Sequence, residues 1–499
     1  MSMRGHRDAT QLVPAVACLV TSATILTIAI GGSGGSPADA LLSFAAFPLV
    51  VFLVLRSSPM GVLSWLMTPV GVLLAFLWLS VLAVPILWTL GLAVPWVEYP
   101  AGKSTRIIAL AVGSVALIHF GSLSAGTASR PKTPMRWRSR SGMRRSLFAG
   151  FLLIFACFTI LHLKVNVLFL LQNLITRRDL LAGLGPLTAA AACAGVAGLA
   201  AWGTRDLSIS EKLLATASSL GYLSYLFVLG SRLPMIAYVI AIAIARATAG
   251  RIPRLLVALV SFGAIPFAVW YSVSIRKGQL ISESGPGLRA AVRGIVDPFT
   301  YGGLDVLNTF GAVANSTLAD LSISVNPLLA NATTMFPRSL WPDKPPGTSI
   351  LFSEQFFERR WLAGSGVPPS IIAELPFLFG VVGTIVALPI LGFALSRASV
   401  GLAASYRPIV RLMYPLITVD CIFWAKSGTD AFLQQLSIHF VAVLGFIALS
   451  TMMGAGIQVE RNQEEREQIQ GSEGRHSFRG RSSLSPLHTN SEDGAFHSE

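Results

Sequence analysis

The segment Ser146–Leu163 reads SLFAGFLLIFACFTILHL and contains no Asp, Glu, Lys or Arg. Arg144 and Arg145 precede it and Lys164 follows it. An apolar segment of about 18 residues or more is long enough to cross the hydrocarbon core of a bilayer as a helix. This stretch therefore predicts a membrane-spanning helix with basic residues at both ends.

Similar apolar segments recur along the whole chain. Of its 499 residues, 53% are hydrophobic and only 12% are charged, whereas about 25% are charged in an ordinary soluble domain. This composition excludes a soluble enzyme and predicts an all-α polytopic integral membrane protein with about 12 transmembrane helices. The predicted spans are Leu12–Ile30, Asp39–Leu55, Leu66–Leu90, Arg106–Leu123, Ser146–Leu163, Leu181–Trp202, Leu213–Gly230, Leu233–Ala245, Leu255–Ile275, Leu375–Ser396, Leu412–Lys426 and Ala431–Met453.

One connection is much longer than the others, and it divides the chain. Residues 1–275 hold the first nine predicted spans, 276–374 form a large loop, 375–454 hold the last three spans, and 455–499 form a polar, disordered tail. Loops of this length are usually functional. We expect interfacial helices within it, at Gly287–Val296 and Gly303–Ala314, and chemistry on its surface.

The charges indicate the orientation of the spans. The net charge of +14 comes from 38 Lys and Arg against 24 Asp and Glu, and these basic residues lie between the spans. With the long loop and the tail set aside, most of them fall on the side that carries both termini, which predicts cytoplasmic termini and an outer, periplasmic loop. No nucleic-acid partner is predicted. The start also resembles a secretory signal ending near Ala38, but we expect the first span to be retained.

Residues Phe336–Pro346, with the sequence FPRSLWPDKPP, stand out within the loop. The prolines restrict the backbone, so they hold Arg338 and Lys344 in a preset arrangement that is not a regular helix. A guanidinium and an ammonium suit the capture of a diphosphate. The alternative is a rigid surface turn whose cations contact lipid headgroups, with Trp341 at the membrane interface.

Other charged residues are candidates because of their position at an apolar boundary. Glu374 lies where the loop re-enters the membrane and is a candidate general base, although a salt bridge or a helix-start charge is equally open. Arg232 lies between two apolar segments, so it either serves a functional site or extends to the headgroups. Arg276 and Arg289 extend the cationic surface or are ordinary interfacial charges.

No cofactor or metal site is predicted. The four cysteines, Cys18, Cys157, Cys193 and Cys421, all fall inside apolar segments without the spacing of metal ligands. The long loop contains no His. The cations in the loop therefore have to supply any charge neutralisation.

Taken together, the short motifs resemble those of the bacterial oligosaccharide repeat-unit polymerases of the Wzy type, which assemble O-antigen or exopolysaccharide. The matching residues are Gly230-Ser231-Arg232, Pro337-Arg338, Trp341-Pro342, Lys344-Pro345, Glu374, Phe379-Gly380 and Gly383. The resemblance implies an inner-membrane glycosyltransferase that needs no nucleotide sugar. It implies transfer of a growing chain from undecaprenyl diphosphate to the next lipid-linked unit on the periplasmic face, with a flippase and a chain-length regulator as partners in the same pathway.

The resemblance also implies roles for individual residues. Arg232, Arg338 and Lys344 would stabilise the charge that develops on the departing diphosphate. Glu374 would take the proton of the acceptor hydroxyl, with Asp343 as its substitute. The residues expected to contact the lipid-linked oligosaccharide are Trp341, Asp343, Arg276 and Arg289.

Two alternatives stay open at this point. An O-antigen ligase has a similar outer loop but relies on a loop His, which this loop lacks. A transporter of polysaccharide or lipid-linked oligosaccharide often has a similar number of spans, but it places its polar site near the midplane between repeated halves. The sequence shows no loop His as in a ligase, and no internal repeat as in a transporter.

Overall fold

The chain is an all-α membrane protein, and its described residues include one short pair of strands. A computed structural model describes residues 46, 50, 53–54, 62–89, 103–125, 135–167, 184–250, 306–316, 331, 341, 343–362 and 366–459. Within these residues, 5 helices are long and apolar enough to cross a membrane. The predicted spans Leu12–Ile30 and Leu255–Ile275, and most of Asp39–Leu55, lie outside the described residues.

The structure describes twelve helices, of which eight overlap predicted spans with ends up to eight residues apart and four short ones do not. In chain order they are α1 (Val62–Trp65), α2 (Pro69–Thr89), α3 (Lys103–Ser124), α4 (Arg140–Val165), α5 (Gly185–Trp202), α6 (Ile209–Val228), α7 (Arg232–Thr248), α8 (Val306–Asn315), α9 (Thr348–Phe356), α10 (Glu358–Leu362), α11 (Ile371–Ala404) and α12 (Pro408–Met452). The candidate spans by length and hydropathy are α3, α4, α5, α11 and α12, while α7 is a shorter apolar helix.

The last helix, α12, folds back on itself. Gly428 interrupts it with φ 76° and ψ −174°. Nδ1 of His439 lies 2.8 Å from Oδ2 of Asp420, and the rings of Trp424 and Phe432 stack at 4.6 Å. In a straight helix the first pair would lie about five turns apart and the second about two. The two halves of α12 are therefore antiparallel, as the separate predicted spans Leu412–Lys426 and Ala431–Met453 require.

A second break corrects the prediction of an uninterrupted span over Leu375–Ser396. Gly380 has φ 65° and ψ −173°, nearly the dihedral angles of Gly428, so the chain bends sharply inside α11. Only glycine adopts this backbone region readily, because it lacks a Cβ. The first part of α11 is consequently a short helix, and the part after Gly380 continues to Ala404.

Two strands close one end of the bundle, which we call the strand end. Strand β1 (Met135–Trp137) pairs antiparallel with β2 (Ile457–Val459), and Met135 also bridges to Thr204. Nearby, Nε of Arg144 donates to Glu211 at 3.2 Å. Three segments that were predicted to share the cytoplasmic side therefore meet at one end of the bundle.

The opposite end contains the turn of the α12 hairpin, and we call it the tip end. The second half of α12 runs from Thr429 to Met452, a rise of about 36 Å that slightly exceeds the hydrocarbon thickness of a bilayer. Arg246, near the end of helix α7, contacts Trp202 at the strand end. The start of α7 therefore points toward the opposite end of the bundle. The turn from α6 to α7 therefore lies at the tip end.

Small residues let helices approach closely in the middle of the bundle. Helix α5 carries Ala and Gly along its length, and most of its second half is buried. The hydroxyl of Tyr238 donates to the carbonyl of Gly195 at 2.7 Å, and the ring of Tyr238 meets that of Tyr222 edge-on at 4.8 Å. Packing of this kind drives helix association in lipid, where the hydrophobic effect between helices is weak.

Helices α3 and α11 are also in backbone contact. A Cβ built at Gly392 would overlap the carbonyl oxygen of Ile118, and one built at Gly121 would overlap that of Pro389. The two contacts pair residues in opposite chain order, so the helices run antiparallel. Glycine at both positions keeps them close.

We expect Gly392→Ala to destabilise the protein by about 1 to 3 kcal/mol, because the added methyl group must push α3 away from α11. Gly401 of the same helix has nothing within 4 Å of a built Cβ, so Gly401→Ala is the matched control. Its stability should stay unchanged or rise slightly, since Ala favours a helix more than Gly does. Apparent Tm values in detergent check both variants, and equal Tm values would contradict this packing.

Candidate functional site at the hairpin tip

Polar side chains from four separate parts of the chain meet at the tip end. They link the start of α11, the turn of α12, the start of α9 and an isolated asparagine from the long loop. We call this set the tip cluster, and its members are Asn331, Thr348, Ser349, Glu374, Thr429 and Asp430.

Glu374 is the centre of the tip cluster. Its side chain is fully buried. Oε1 accepts a hydrogen bond from Nδ2 of Asn331 at 3.0 Å, and Oε2 accepts from the backbone N–H of Thr429 at 2.7 Å and from its hydroxyl at 2.8 Å. Thr429 begins the second half of α12, so the carboxylate caps the positive end of a long helix.

The direction of these hydrogen bonds favours an ionised Glu374. The backbone N–H of Thr348 donates to Oδ1 of Asn331 at 3.2 Å, which fixes the side-chain amide so that its NH₂ group faces Glu374. The hydroxyl of Thr429 accepts from Nε1 of Trp424 at 3.1 Å and is thereby oriented to donate. Each described hydrogen-bond partner of the carboxylate thus presents a donor, which is what an acceptor group needs.

Asp430 attaches the long loop to the hairpin. Oδ2 accepts from the backbone N–H of Ser349 at 3.1 Å, and Oδ1 accepts from the Ser349 hydroxyl at 2.7 Å. Oδ1 also accepts from the backbone N–H of Ala431 at 2.8 Å. One carboxylate therefore caps two helix starts, those of α9 and of the second half of α12.

Gly428 makes this arrangement possible. A Cβ at this position would lie 2.9 Å from Oε2 of Glu374 and 3.0 Å from the carbonyl oxygen of Pro369. Its positive φ is also one that side chains disfavour. Both the turn and the close approach of the carboxylate therefore require glycine.

Aromatic rings hold α9 against α11 one turn after the polar contacts. Phe352 is fully buried, and its ring lies 5.0 Å from that of Phe356 and 5.6 Å from that of Phe377. Phe377 belongs to the short helical part of α11 before Gly380. The loop helix is thus fastened by charge-assisted hydrogen bonds at its start and by aromatic packing along its length.

Three of the predicted site residues directly precede α9. Trp341 is 42% exposed, Asp343 is exposed and Lys344 is half-buried. The backbone N–H of Lys344 donates to the carbonyl of Trp341 at 3.3 Å, which forms a turn. The described residues of this segment are not helical, as the prolines predict. The segment leads into Ser349 and so reaches the same end of the bundle as Glu374.

The remaining predicted residues are described in part or not at all. The backbone of Arg232 begins α7 and lies at the tip end. Arg276, Arg289 and Arg338 lie outside the described residues. The roles assigned to these four residues stay predictions.

Sequence reasoning missed the partners of Glu374. Asn331 had no motif around it, and Thr429 and Asp430 were assigned to a connection between two spans. The available signal was Gly428-Thr429-Asp430, a glycine followed by two residues that cap helices, placed between two apolar segments. That pattern indicates a hairpin turn that begins a new helix.

The arrangement can hold a loop rigidly against the membrane end of the bundle. Both oxygens of Glu374 are occupied, whereas Trp341 and Asp343 are open to approach. Within the described part of the chain, no group of three or more His, Cys, Asp or Glu side chains is placed to hold a metal ion. Any chemistry here would use the exposed side chains of the loop segment.

Comparison with protein-family models, with curated proteins and with solved structures finds no match to this chain.

We expect Gly428→Ala to lower the apparent Tm more than Gly250→Ala does. Both glycines have positive φ, but a Cβ at Gly250 meets nothing within 4 Å, whereas one at Gly428 would crowd Glu374. The control therefore carries only the cost of a positive φ, about 1 to 2 kcal/mol, whereas Gly428→Ala adds the cost of its ψ of −174° and the contact with Glu374. Thermal unfolding in detergent compares the two, and an equal loss would mean that the Glu374 contact does not constrain the turn.

Proposed function

We propose that this chain is an oligosaccharide repeat-unit polymerase of a bacterial inner membrane. It would join undecaprenyl-diphosphate-linked oligosaccharides into O-antigen or exopolysaccharide, without a nucleotide sugar. The proposal includes about 12 spans, both termini in the cytoplasm and a periplasmic loop between the ninth and tenth spans. On this orientation the strand end is cytoplasmic and the tip end is periplasmic.

One observation supports the proposal more than any other. Trp341, Asp343 and Lys344 precede α9, and the start of α9 is hydrogen-bonded to the hairpin tip beside Glu374. Residues that the family resemblance groups together, although they are distant in sequence, thus lie at one end of a membrane bundle. A lipid-linked diphosphate enters such a site from the bilayer surface.

The proposed chemistry breaks the bond between an anomeric carbon and a phosphate oxygen. Negative charge develops on the departing diphosphate, and fixed cations lower the energy of that transition state. Arg232, Arg338 and Lys344 are proposed for this role, and Arg276 and Arg289 would extend the cationic surface toward the substrate. Trp341 would stack on a sugar or on the prenyl chain.

The acceptor hydroxyl has to lose a proton to a base. The geometry favours Asp343 over Glu374 for this step, because Asp343 is exposed while both oxygens of Glu374 already accept hydrogen bonds. Glu374 would then act by positioning the hairpin tip and the loop. This reverses the order of preference that the motifs alone suggested.

Glycan profiling of a strain that lacks the gene tests the proposed function. Complementation with the wild-type gene should restore long chains, whereas Arg338→Ala should leave single repeat units, because the diphosphate loses a bidentate partner. Arg359, an exposed cation of α10 in the same loop, provides the control, and Arg359→Ala should restore long chains. Long chains that persist without the gene would refute the polymerase, and long chains that accumulate on the lipid carrier would indicate a ligase.

A second pair of variants separates the two carboxylates. Asp343→Asn should abolish chain extension without changing the apparent Tm, because its side chain is exposed. Glu374→Gln should lower the apparent Tm. The NH₂ group of the glutamine would replace a carboxylate oxygen and face a hydrogen-bond donor of Asn331 or Thr429, at a cost of about 1 to 3 kcal/mol. Full chain extension by Asp343→Asn would exclude it as the base. An unchanged Tm for Glu374→Gln would contradict the positioning role.

A further inference from the structure

A second buried acidic residue lies deeper in the bundle, away from the tip cluster. Asp420, in the first half of α12, is fully buried, and His439, in the second half, is nearly so. Oδ2 of Asp420 lies 2.8 Å from Nδ1 of His439. The contact joins the two arms of the hairpin directly.

The pair lies near the middle of the membrane. Along α12, His439 is about 15 Å from Thr429 at the tip and about 20 Å from Met452 at the strand end. An ionisable side chain at this depth is costly in hydrocarbon, and such residues usually mark a functional path. A purely apolar contact would join the two arms at lower cost.

Among the described residues, the titratable groups around Asp420 other than His439 carry no positive charge. Tyr222 of α6 interacts electrostatically with Asp420, and Tyr238 of α7 packs on Tyr222. Cys421 adjoins it in sequence, and Sγ of Cys193 in α5 contacts the carbonyl of Ala442, close to His439. Tyrosine and cysteine are uncharged at neutral pH at their ordinary pKa values. His439, in contrast, becomes a cation when it binds a proton.

The carboxylate is only partly satisfied. Among the described residues, Oδ1 of Asp420 has no hydrogen-bond partner although it is buried. A buried carboxylate with a single neutral donor keeps most of its desolvation cost. Conversion of that donor to a cation compensates for the charge.

We propose that Asp420 and His439 form a proton-binding site in the middle of the membrane. A proton that binds Nε2 of the neutral imidazole gives an imidazolium whose Nδ1–H donates to Oδ2 of Asp420. The net charge of the pair changes from −1 to 0, with no other group altered. Asp420 has no exposed side-chain surface, whereas 11% of the His439 side chain is exposed, so the imidazole is the more accessible member of the pair.

The alternative is a permanent structural hydrogen bond between a neutral imidazole and the carboxylate. That contact would look the same at all pH values near neutrality, whereas the proposed site gains and loses a proton. The two alternatives therefore differ in whether the protonation state of His439 changes with pH. This proposal does not depend on glycosyl transfer, and its test uses no sugar substrate.

Infrared difference spectroscopy of the purified full-length protein in lipid nanodiscs provides the test. Isotope-labelled histidine identifies the imidazole bands in a titration between about pH 5 and pH 8. We expect one component of the histidine signal, equal to one proton per chain, to be lost in His439→Gln and shifted in Asp420→Asn. His162, exposed at the end of α4, is the control, and His162→Gln should retain the signal.

The result that overturns the proposal is a titration in which His439→Gln and the wild type give the same difference spectrum. If His439→Gln fails to fold, Asp420→Asn decides, because asparagine keeps an acceptor for the Nδ1–H group. A histidine signal that Asp420→Asn shifts supports the site, and one that it leaves unchanged refutes it. Failure here leaves the proposed polymerase activity untouched.

Discussion

The carboxylate of Glu374 accepts two hydrogen bonds from Thr429 and one from Asn331, and the tip end of the protein depends on these contacts. A hairpin between two membrane helices exposes the unpaired N–H groups of the helix that begins at the turn. In an apolar environment these groups must find acceptors within the protein. Glu374 supplies one such acceptor and Asp430 supplies another, so two acidic residues satisfy the backbone where the turn is buried within the protein.

The same contacts connect the membrane bundle to the long loop. Asn331 and Ser349 come from the loop, yet each is bonded to a carboxylate of the bundle. Hydrogen bonds to a charged group are stronger than neutral ones, about 1.5 to 3 kcal/mol each. The bundle therefore sets the position of the loop segment around Trp341. A substitution at the hairpin tip would shift the exposed residues of this segment even without contacting them.

The sequence predicted the class of fold well and the site only in part. Uncharged apolar segments such as Ser146–Leu163 identify membrane helices because lipid leaves few other options for a backbone. The break at Gly380 was missed, since glycine is common inside membrane helices and nothing local distinguishes one that bends. Glu374 was identified by its position at an apolar boundary, but its partners Asn331 and Thr429 depend on contacts between distant parts of the chain, which periodicity does not reveal.

The two strands that pair at the strand end are synthesised far apart in time. Strand β1 follows Ser124 closely in the sequence, but its partner β2 comes after the last helix. Met135–Trp137 therefore has no partner strand until almost the whole chain has been synthesised. Helices α4, α5 and α6 can insert and pack in the meantime, because they contact one another. Closure of the strand end would then be the final step of assembly, and a ribosome that stalled within α12 would leave an edge open to the cytoplasmic chaperones on the proposed orientation.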